Sequence, residues 1–346
     1  MKRLIVTGLL VAVVVACFAQ KPYTVVFYNL ENLFDTINDP ETNDDEFLPD
    51  GARKWNTAKY YKKLQNMERV LFDIAKVNQA FPTVIGVSEV ENRTVLQDLA
   101  SQPNLAKGNY RIVHYDSPDA RGIDCAFFYR PDQFKLEGSE AIKFVMPGRP
   151  DFRTRDFVTM WGTIDDEPFF FLVTHWPSRL GGKEQSAALR MCAAEQCMHI
   201  ADSVRAANPA TKVVIMGDLN DDATDESVVE GLHCASKMKE FKDKTDKRMF
   251  NPFIEMLKAG HGTLAYQDKW NLFDNIIVSE NLATGSTGEL TIQRAENSKF
   301  YGYIFRQPYM IQKEGQYKGY PLRTFVGTNF QNGYADHLPV YIHIAK

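Results

Sequence analysis

One segment of the chain changes abruptly from apolar to polar residues. In TKVVIMGDLNDD, residues 211–222, a β-branched run gives way directly to carboxylates and amides. A short apolar run bounded by Gly and Asp is typical of a buried strand. Asp218 and Asn220 are two residues apart, so in an extended chain both face one side. The pattern either makes a turn or places chemical groups at a strand end.

The rest of the chain alternates short β-rich runs with a few amphipathic helical segments. Several of the runs are apolar on both faces, which indicates sheets covered on both sides by other layers. Helices are predicted at Thr57–Val77, Arg93–Leu99 and Glu184–Ala206. Strands are predicted at Tyr23–Leu30, Thr83–Ser88, Tyr110–His114, Ile123–Arg130, Phe157–Ile164, Phe169–Thr174, Lys212–Met216, Leu272–Ser279, Leu290–Arg294 and Pro339–Ile344.

The length and composition favour one large globular domain. The chain has 346 residues, 44% hydrophobic content and a formal net charge of -4, so a polyanionic substrate would need a local basic patch or a metal. Length alone allows about two domains. Candidate polar residues, however, follow strands from Asn29 to His337, which predicts a single site and a single domain over residues 20–346. Residues 297–331 form an aromatic-rich insertion, either a functional flap or an ordered surface lobe.

The first residues have the layout of a secretory signal peptide. Lys2 and Arg3 precede an apolar run that is too short for a comfortable membrane span. Cleavage after Ala19 is favoured and makes residues 1–19 the signal peptide. The alternative is a lipobox ending at Cys17, which would leave a lipid anchor. Either reading predicts export, to the periplasm or the extracellular space.

The cysteines of the mature chain are predicted to be buried free thiols. Cys192 and Cys197 fall on one predicted helix, where their Cα atoms would be roughly 8 Å apart, beyond ordinary disulfide reach. The sequence has neither a Cys-x-x-Cys pair nor a His-Glu-x-x-His stretch. Zinc is therefore an unfavoured metal.

Other predicted strands also end in polar residues. Glu89 follows an apolar strand, and carboxylate oxygens are what hard cations such as Mg²⁺ bind. Glu91 is either a second ligand or the cap of the helix that begins near Arg93. Any one of these residues has an ordinary explanation as a cap or a turn former. The stretches are FYNLENLFD with Asn29, VIGVSEVENR with Glu89, FFLVTHWPSR with His175, VVIMGDLN with Asp218 and Asn220, and YADHLPV with Asp336 and His337.

Taken together and in this order, these stretches, with Asp274 in LFDNIIVS, resemble the endonuclease/exonuclease/phosphatase superfamily, whose fold is also called deoxyribonuclease I-like. The match covers nearly the whole mature chain, and FLVTHWPSR and KWNLFDNIIVS look like a bacterial exported subgroup. The resemblance implies an α/β four-layer sandwich, with two packed mixed β-sheets flanked by helices. It also implies hydrolysis of phosphate esters with a divalent metal, Mg²⁺ by preference and Mn²⁺ or Ca²⁺ as substitutes.

The resemblance also implies roles for individual residues. Glu89 would bind the metal, with Asn29 nearby and Asp336 as a further or alternative ligand. Asp218 would position or deprotonate the attacking water. The transferring phosphoryl group would be held by Asn220 and His337, and Asp274 would orient His337.

Three further residues are assigned to the site. Asp124 in RGIDCAFFYR is expected to pair with His175, as in the second carboxylate–histidine pair of pancreatic deoxyribonuclease. A carboxylate fixes the tautomer of a histidine and raises its basicity. Arg121 and Arg179 lie beside these groups in the sequence and are candidates for gripping a phosphate, although each is equally well read as a solvated loop arginine.

Three functions remain open at this point. The first is an exported nuclease that cuts DNA or RNA. The second is a phosphomonoesterase, or a phosphodiesterase of phospholipid headgroups such as inositol phosphate or sphingomyelin. The third is a catalytically silent binding module, which predicts loss of a core site residue, and none is lost. No stable protein partner is implied, and a monomer is expected.

Overall fold

The structure is a computed structural model that describes residues 22–242 and 246–346. The predicted signal peptide and the candidate lipidation site at Cys17 lie outside the described residues. Within the described part, two seven-stranded sheets account for most of the fold.

The first sheet contains the first strands of the chain and its last. Its order is β14-β18-β1-β2-β4-β3, and β15 also pairs with β18. β1 runs parallel to β2 and antiparallel to β18. The strands are β1 Tyr23–Leu33, β2 Val84–Val90, β3 Arg111–His114, β4 Asp124–Tyr129, β14 Thr291–Gln293, β15 Gly302–Ile304 and β18 Val340–Ala345.

The second sheet uses the middle of the chain, in the order β5-β6-β7-β8-β13-β10-β9. β7 is parallel to β8, and β13 is antiparallel to it. The strands are β5 Lys135–Ile142, β6 Phe157–Ile164, β7 Glu167–His175, β8 Lys212–Asp218, β9 Cys234–Ala235, β10 Met249–Phe250 and β13 Asp274–Ser279. Two small hairpins complete the strands: β11 Leu264–Tyr266 with β12 Lys269–Asn271, and β16 Phe325–Val326 with β17 Asn329–Phe330.

The helices cover the outer faces of the sheets. Asn56 and Asn92 cap the first two helices, because each side chain accepts a hydrogen bond from the backbone three residues on. The cap near Arg93 is therefore Asn92, and Glu91 instead accepts the backbone N–H of Asp35. The helices are α1 Thr57–Val77, α2 Arg93–Ala100, α3 Lys183–Ala207, α4 Phe253–Lys258 and α5 Glu280–Ala283.

Strand β1 shows how the layers are built. Val25 and Phe27 belong to the core between the sheets, whereas Val26 and Tyr28 belong to the core under α1 and α2. Because successive strand residues point to opposite faces, a strand that is apolar on both faces must be covered on both. The predicted four-layer α/β sandwich, two packed mixed sheets flanked by helices, is confirmed.

The insertion at residues 297–331 is an ordered lobe rather than a structureless loop. It contains β15, a 3-10 helix at Pro308–Met310 and the β16–β17 hairpin. Met310 and Phe325 are buried in the core that lies under α1. Among the described residues, no helix has both the length and the apolar character needed to cross a bilayer. The cysteines of the described chain are free thiols, and all but Cys192 are buried.

Candidate functional site

The predicted polar residues gather at one edge of the two sheets. Asn29 on β1 is in register with Ser88 on β2, immediately before Glu89. In the other sheet, Asp218 at the end of β8 is in register with both His175 and Asp274. Strand pairing within each sheet therefore brings these side chains to the same edge.

Asn29 joins the two sheets at this edge. Its Nδ2 donates to Asp218 Oδ2 at 3.0 Å and to Glu89 Oε1 at 3.4 Å, and the side chain is fully buried. Its Oδ1 accepts the backbone N–H of Glu31 at 2.9 Å. Asn29 was predicted to lie near the metal as one of its candidate ligands, and in the structure its oxygen accepts one backbone N–H. In this arrangement it positions two carboxylates.

The strand ends adopt a backbone conformation that L-residues rarely use. Glu31, Asn32, Glu89 and Asn220 all have a positive φ, between 49° and 59°. In return, the turned backbone donates to the site carboxylates: Asn32 N to Glu89 Oε2 at 3.0 Å, and Asn220 N to Asp218 Oδ1 at 2.9 Å. Non-glycine residues held in this region typically cluster at functional sites.

His337 is held between two carboxylates. Its Nδ1 donates to Asp274 Oδ2 at 2.8 Å, and its Nε2 lies 3.7 Å from Asp218 Oδ2. Burial alone would lower the pKa of His337, but the negative charges of Asp274 and Asp218 outweigh it and raise the pKa well above its usual value. A raised pKa favours the imidazolium form, whose Nε2–H can donate to a phosphate oxygen.

His175 is in the opposite charge state. Burial, together with the positive charges of Arg155 and Arg121, holds the pKa of His175 well below its usual value. Its Nε2 lies 3.6 Å from Asp218 Oδ2 and 4.0 Å from Glu89 Oε1, and among the described residues its buried Nδ1 has no hydrogen-bond partner. A neutral imidazole with unused ring nitrogens can bind a metal or a substrate group.

The expected pair of Asp124 with His175 is not formed. Asp124 Oδ2 instead lies 3.0 Å from His114 Nε2, and Asp124 Oδ1 accepts the backbone N–H of Ser117 at 2.8 Å. The reason is sheet topology: β3 and β4 are neighbours in the first sheet, whereas His175 ends a strand of the second. His114 was visible in the sequence as the last residue of the predicted strand Tyr110–His114.

Asp218 and Asn220 occupy the centre of the edge. Burial raises the pKa of Asp218 to about 6; the His337 charge opposes this rise and the Asp274 charge adds to it. The Asn220 side chain donates one N–H to the carbonyl of Trp176 at 2.9 Å. This bond fixes the amide and leaves its second N–H available to a ligand.

Arg179 was predicted to grip a phosphate, but carboxylates already occupy its guanidinium. Its Nη2 lies 3.1 Å from Asp221 Oδ1 and 2.8 Å from Asp225 Oδ2, and its Nε donates to the carbonyl of Asn220 at 2.8 Å. The acidic loop that follows Asn220 supplies these partners. Arg179 thus anchors the loop that carries Asn220.

Arg121 remains available for substrate. Its side chain is about half exposed, and its Nε is 3.8 Å from Asp119 Oδ1. Asp119 also receives a hydrogen bond from the buried Arg155, which donates to the backbone carbonyls of His175 and Trp176 as well. Arg155, which was not predicted, therefore fixes the Arg121 loop against the end of β7.

A buried ion pair lies behind the carboxylates. Lys63 on α1 is 3.6 Å from Glu31 Oε2, and its ammonium donates to the Thr324 hydroxyl and the Tyr334 carbonyl. Asp336, which is partly exposed, pairs with Arg323 at 3.2 Å. Neither Lys63 nor Arg323 was predicted. Lys63 could have been noticed only as a cation on the buried face of α1.

The donor set at this edge fits a hard divalent cation. Glu89 offers carboxylate oxygens, the ligand type that Mg²⁺ prefers, and the Asn29 amide holds Asp218 beside it. Asp336, next to His337 in the chain, is a further carboxylate, and its Oδ2 pairs with Arg323. Asp218, Asp274 and His337 also form a group of ligand atoms within 4.8 Å of one another. The ligand atoms of this group lie close together because His337 and Asp274 are hydrogen-bonded to each other. Glu89 is therefore the better anchor for a metal.

The geometry predicts the effect of removing the central side chains. Asp218→Ala, Asn220→Ala and His337→Ala should each lower turnover on the order of 100-fold or more, because each removes a positioned base, donor or acid. Steady-state assays measure the effect, and His199→Ala on the exposed face of α3 is the matched histidine control. A loss below about threefold, small beside that expectation, would remove the residue from the mechanism.

The role of Arg179 as an anchor of the Asn220 loop can be tested by substitution. Arg179→Ala should lower the free energy of unfolding by about 2 kcal/mol, because it breaks charged hydrogen bonds that are partly buried, and should reduce kcat by loosening the Asn220 loop. Urea denaturation and steady-state kinetics measure the two effects. If KM rises with stability and kcat unchanged, Arg179 contacts the substrate instead.

Comparisons with known proteins agree with this architecture. The profile of the endonuclease/exonuclease/phosphatase family matches residues 24–346. A search of curated proteins found no significant match.

Solved structures of similar fold share little sequence with the chain. D. rerio TDP2 complexed with a single-stranded DNA product has 14% identity and a TM-score of 0.54, covering 94% of this chain and 100% of that one. An endonuclease/exonuclease/phosphatase family protein from Bacteroides thetaiotaomicron has 16% identity and a TM-score of 0.55, covering 93% and 94%. The mannosyl-6-phosphatase of the same organism has 15% identity and a TM-score of 0.52, covering 94% and 100%.

Members of this family are phosphoester hydrolases that generally use divalent metal ions. The family profile spans nearly all of the described chain, and the site geometry suits that chemistry. The chain belongs to the endonuclease/exonuclease/phosphatase family.

Proposed function

We propose that the protein is an exported, Mg²⁺-dependent phosphodiesterase that cuts DNA or RNA. The observation that carries the phosphoesterase part is His337, held by Asp274 with its free nitrogen facing Asp218. A ring N–H donor beside a carboxylate suits displacement at phosphorus, where positioning and charge stabilisation supply most of the catalysis.

Each residue at the edge has a definite task in this reaction. Asp218 orients a water and accepts its proton, while His337 donates its Nε2–H to a phosphate oxygen. The free N–H of Asn220 donates to the same phosphoryl group. Arg121 is the available cation for a second phosphate oxygen.

Glu89 and Asp336 would hold the metal, and the neutral His175 lies close enough to complete the set. When bound, a divalent cation neutralises charge on the phosphate and on the leaving oxygen. Asn29 keeps the Glu89 carboxylate turned toward Asp218 through its paired hydrogen bonds.

The preference for nucleic acid rests on charge outside the core site. The insertion at 297–331 carries five basic residues and one carboxylate, whereas the whole chain has a formal net charge of -4. A basic surface beside a phosphoesterase centre suits a polyanion. The alternative is a phosphomonoesterase or a phosphodiesterase of phospholipid headgroups, and the fold similarity to a mannosyl-6-phosphatase keeps it open.

The substrate class is tested with purified protein from Gln20 onward, in Mg²⁺ and in excess chelator. Nicking of supercoiled plasmid is compared with phosphate release from a panel of phosphomonoesters, and His337→Ala controls for contaminating enzymes. We expect metal-dependent nicking that the control lacks. Phosphate release without nicking would overturn the nuclease proposal in favour of a small phosphoester.

Export is proposed from the first 19 residues alone. The intact mass of the protein recovered from the periplasm or the medium should correspond to a chain that begins at Gln20. A mass showing a lipidated Cys17 would establish the anchored form instead, and an unprocessed chain retained in the cytoplasm would contradict export.

The metal ligand is tested by changing the carboxylates separately. Glu89→Gln should raise the Mg²⁺ concentration needed for half-maximal activity by at least tenfold, because even changes to residues that support a ligand typically cost 10–100-fold in affinity. Asp336→Asn, which alters the more exposed carboxylate, should have a smaller effect. An unchanged Mg²⁺ dependence in Glu89→Gln would exclude Glu89 as a ligand.

A further inference from the structure

We propose that the insertion forms a binding groove for single-stranded nucleic acid, which holds the strand on one side of the scissile phosphate. This inference rests on the proposed nuclease function and adds a second binding surface to it. The groove has a volume of about 570 Å³, and its walls include Arg306, Ile311, Lys313 and Lys318.

The groove rises from the same edge of the sheet as the catalytic residues. Ile304 at the end of β15 is in register with Val340, and Phe305 N donates to the Pro339 carbonyl at 2.8 Å. Arg306 is the next residue and so leaves the sheet beside the segment that carries His337. The start of the groove is therefore adjacent to the catalytic segment.

Hydrogen bonds between backbones join the lobe to the segment just before His337. Tyr334 N donates to the Leu322 carbonyl, and Leu322 N donates to the Met310 carbonyl, both at 2.7 Å. The ring centres of Tyr309 and Tyr334 are 4.9 Å apart. The chain that leads into the groove is therefore held against the segment that leads to the catalytic histidine.

The cations of the groove are not neutralised by the protein. Arg306, Lys313 and Lys318 are exposed, and within the described part of the chain none of them has a carboxylate oxygen within 4.0 Å. Like charges fixed together repel one another unless a polyanion lies among them. A substrate with a single phosphate at the catalytic centre would not need this second group of charges.

Aromatic rings adjoin these cations outside the lining of the groove. The Arg306 guanidinium is 4.9 Å from the centre of the Trp270 ring, and Tyr317 and Tyr320 have ring centres 5.7 Å apart. The Tyr320 hydroxyl donates to Asp268 Oδ1 at 2.8 Å and so ties the lobe to the β11–β12 hairpin. Proteins that bind single-stranded nucleic acid typically combine cations along its phosphate backbone with aromatic rings on which the bases stack.

Binding is measured with the full mature protein, in chelator so that the probe stays intact. Fluorescence anisotropy of a labelled 20-nucleotide oligothymidylate compares wild type with Arg306→Ala/Lys313→Ala/Lys318→Ala. We expect binding at least about tenfold weaker, and a log–log salt dependence shallower by about 2, because each lost phosphate contact removes about 0.7 from the slope. The control Lys107→Ala/Lys135→Ala/Lys239→Ala removes the same charge elsewhere and should match wild type.

The double variant Lys313→Ala/Lys318→Ala keeps the Arg306–Trp270 contact and guards against misfolding of the triple variant. Its salt dependence should change by about two thirds of the amount seen in the triple variant, because it removes two of the three charges. Equal binding by wild type and both variants, or an equal loss of binding in the control, would overturn the proposal that the groove binds nucleic acid. Loss of binding to anionic phosphatidylglycerol vesicles without loss of oligonucleotide binding would overturn it in favour of a membrane surface.

Cleavage assays separate this inference from the proposed function. For each protein, kcat/KM for the 20-mer is divided by kcat/KM for a dinucleotide. If wild type cuts oligonucleotides and this ratio is the same in the triple variant, the groove does not bind the strand and the nuclease function stands. If wild type cuts no diester, the function fails whatever the binding result. We expect that ratio to fall about tenfold in the triple variant, in line with the weaker binding.

Discussion

The site depends on one buried amide that connects the two sheets. Asn29 ends the regular part of β1 in the first sheet, and its hydrogen bond to Asp218 reaches the end of β8 in the second. A fully buried amide must satisfy its donors, and here both acceptors are site carboxylates, those of Glu89 and Asp218. The cost of burying Asn29 is thus offset by bonds that also hold Glu89 and Asp218 in a fixed relation. The left-handed backbone at Glu31 and Asn32 is part of the same arrangement, because their N–H groups donate to Asn29 and Glu89.

The two histidines show how one small region supports different chemistry. Both rings are buried, yet the pKa of His337 is raised and the pKa of His175 is lowered. The difference comes from their neighbours, since Asp274 and Asp218 flank one ring and Arg155 lies beside the other. A fixed acid and a neutral ligand within reach of one carboxylate are suited to phosphoester hydrolysis.

The sequence predicted the fold and the members of the site better than it predicted their pairing. Helix α1 and strand β6 have the predicted bounds, because strong periodicity and clear end signals define them. Strand β5 was missed, since KLEGSEAI is a charged edge strand with an internal glycine. The Asp124 pairing was wrong because it depends on which strands become neighbours. The partners of Arg179 were visible as the acidic run after Asn220, whereas Lys63 and Arg155 act through contacts distant in sequence.

We expect the Asn29 hydrogen bonds to Glu89 and Asp218 to assemble a metal and phosphate site from both sheets. Crystals soaked with Mn²⁺ and phosphate, measured for anomalous scattering, test this directly. The account predicts an anomalous peak against Glu89 and a phosphate within hydrogen-bond reach of His337 Nε2. A peak only at His114, Asp116 and Asp124, the other group of potential ligands in the described chain, would contradict it.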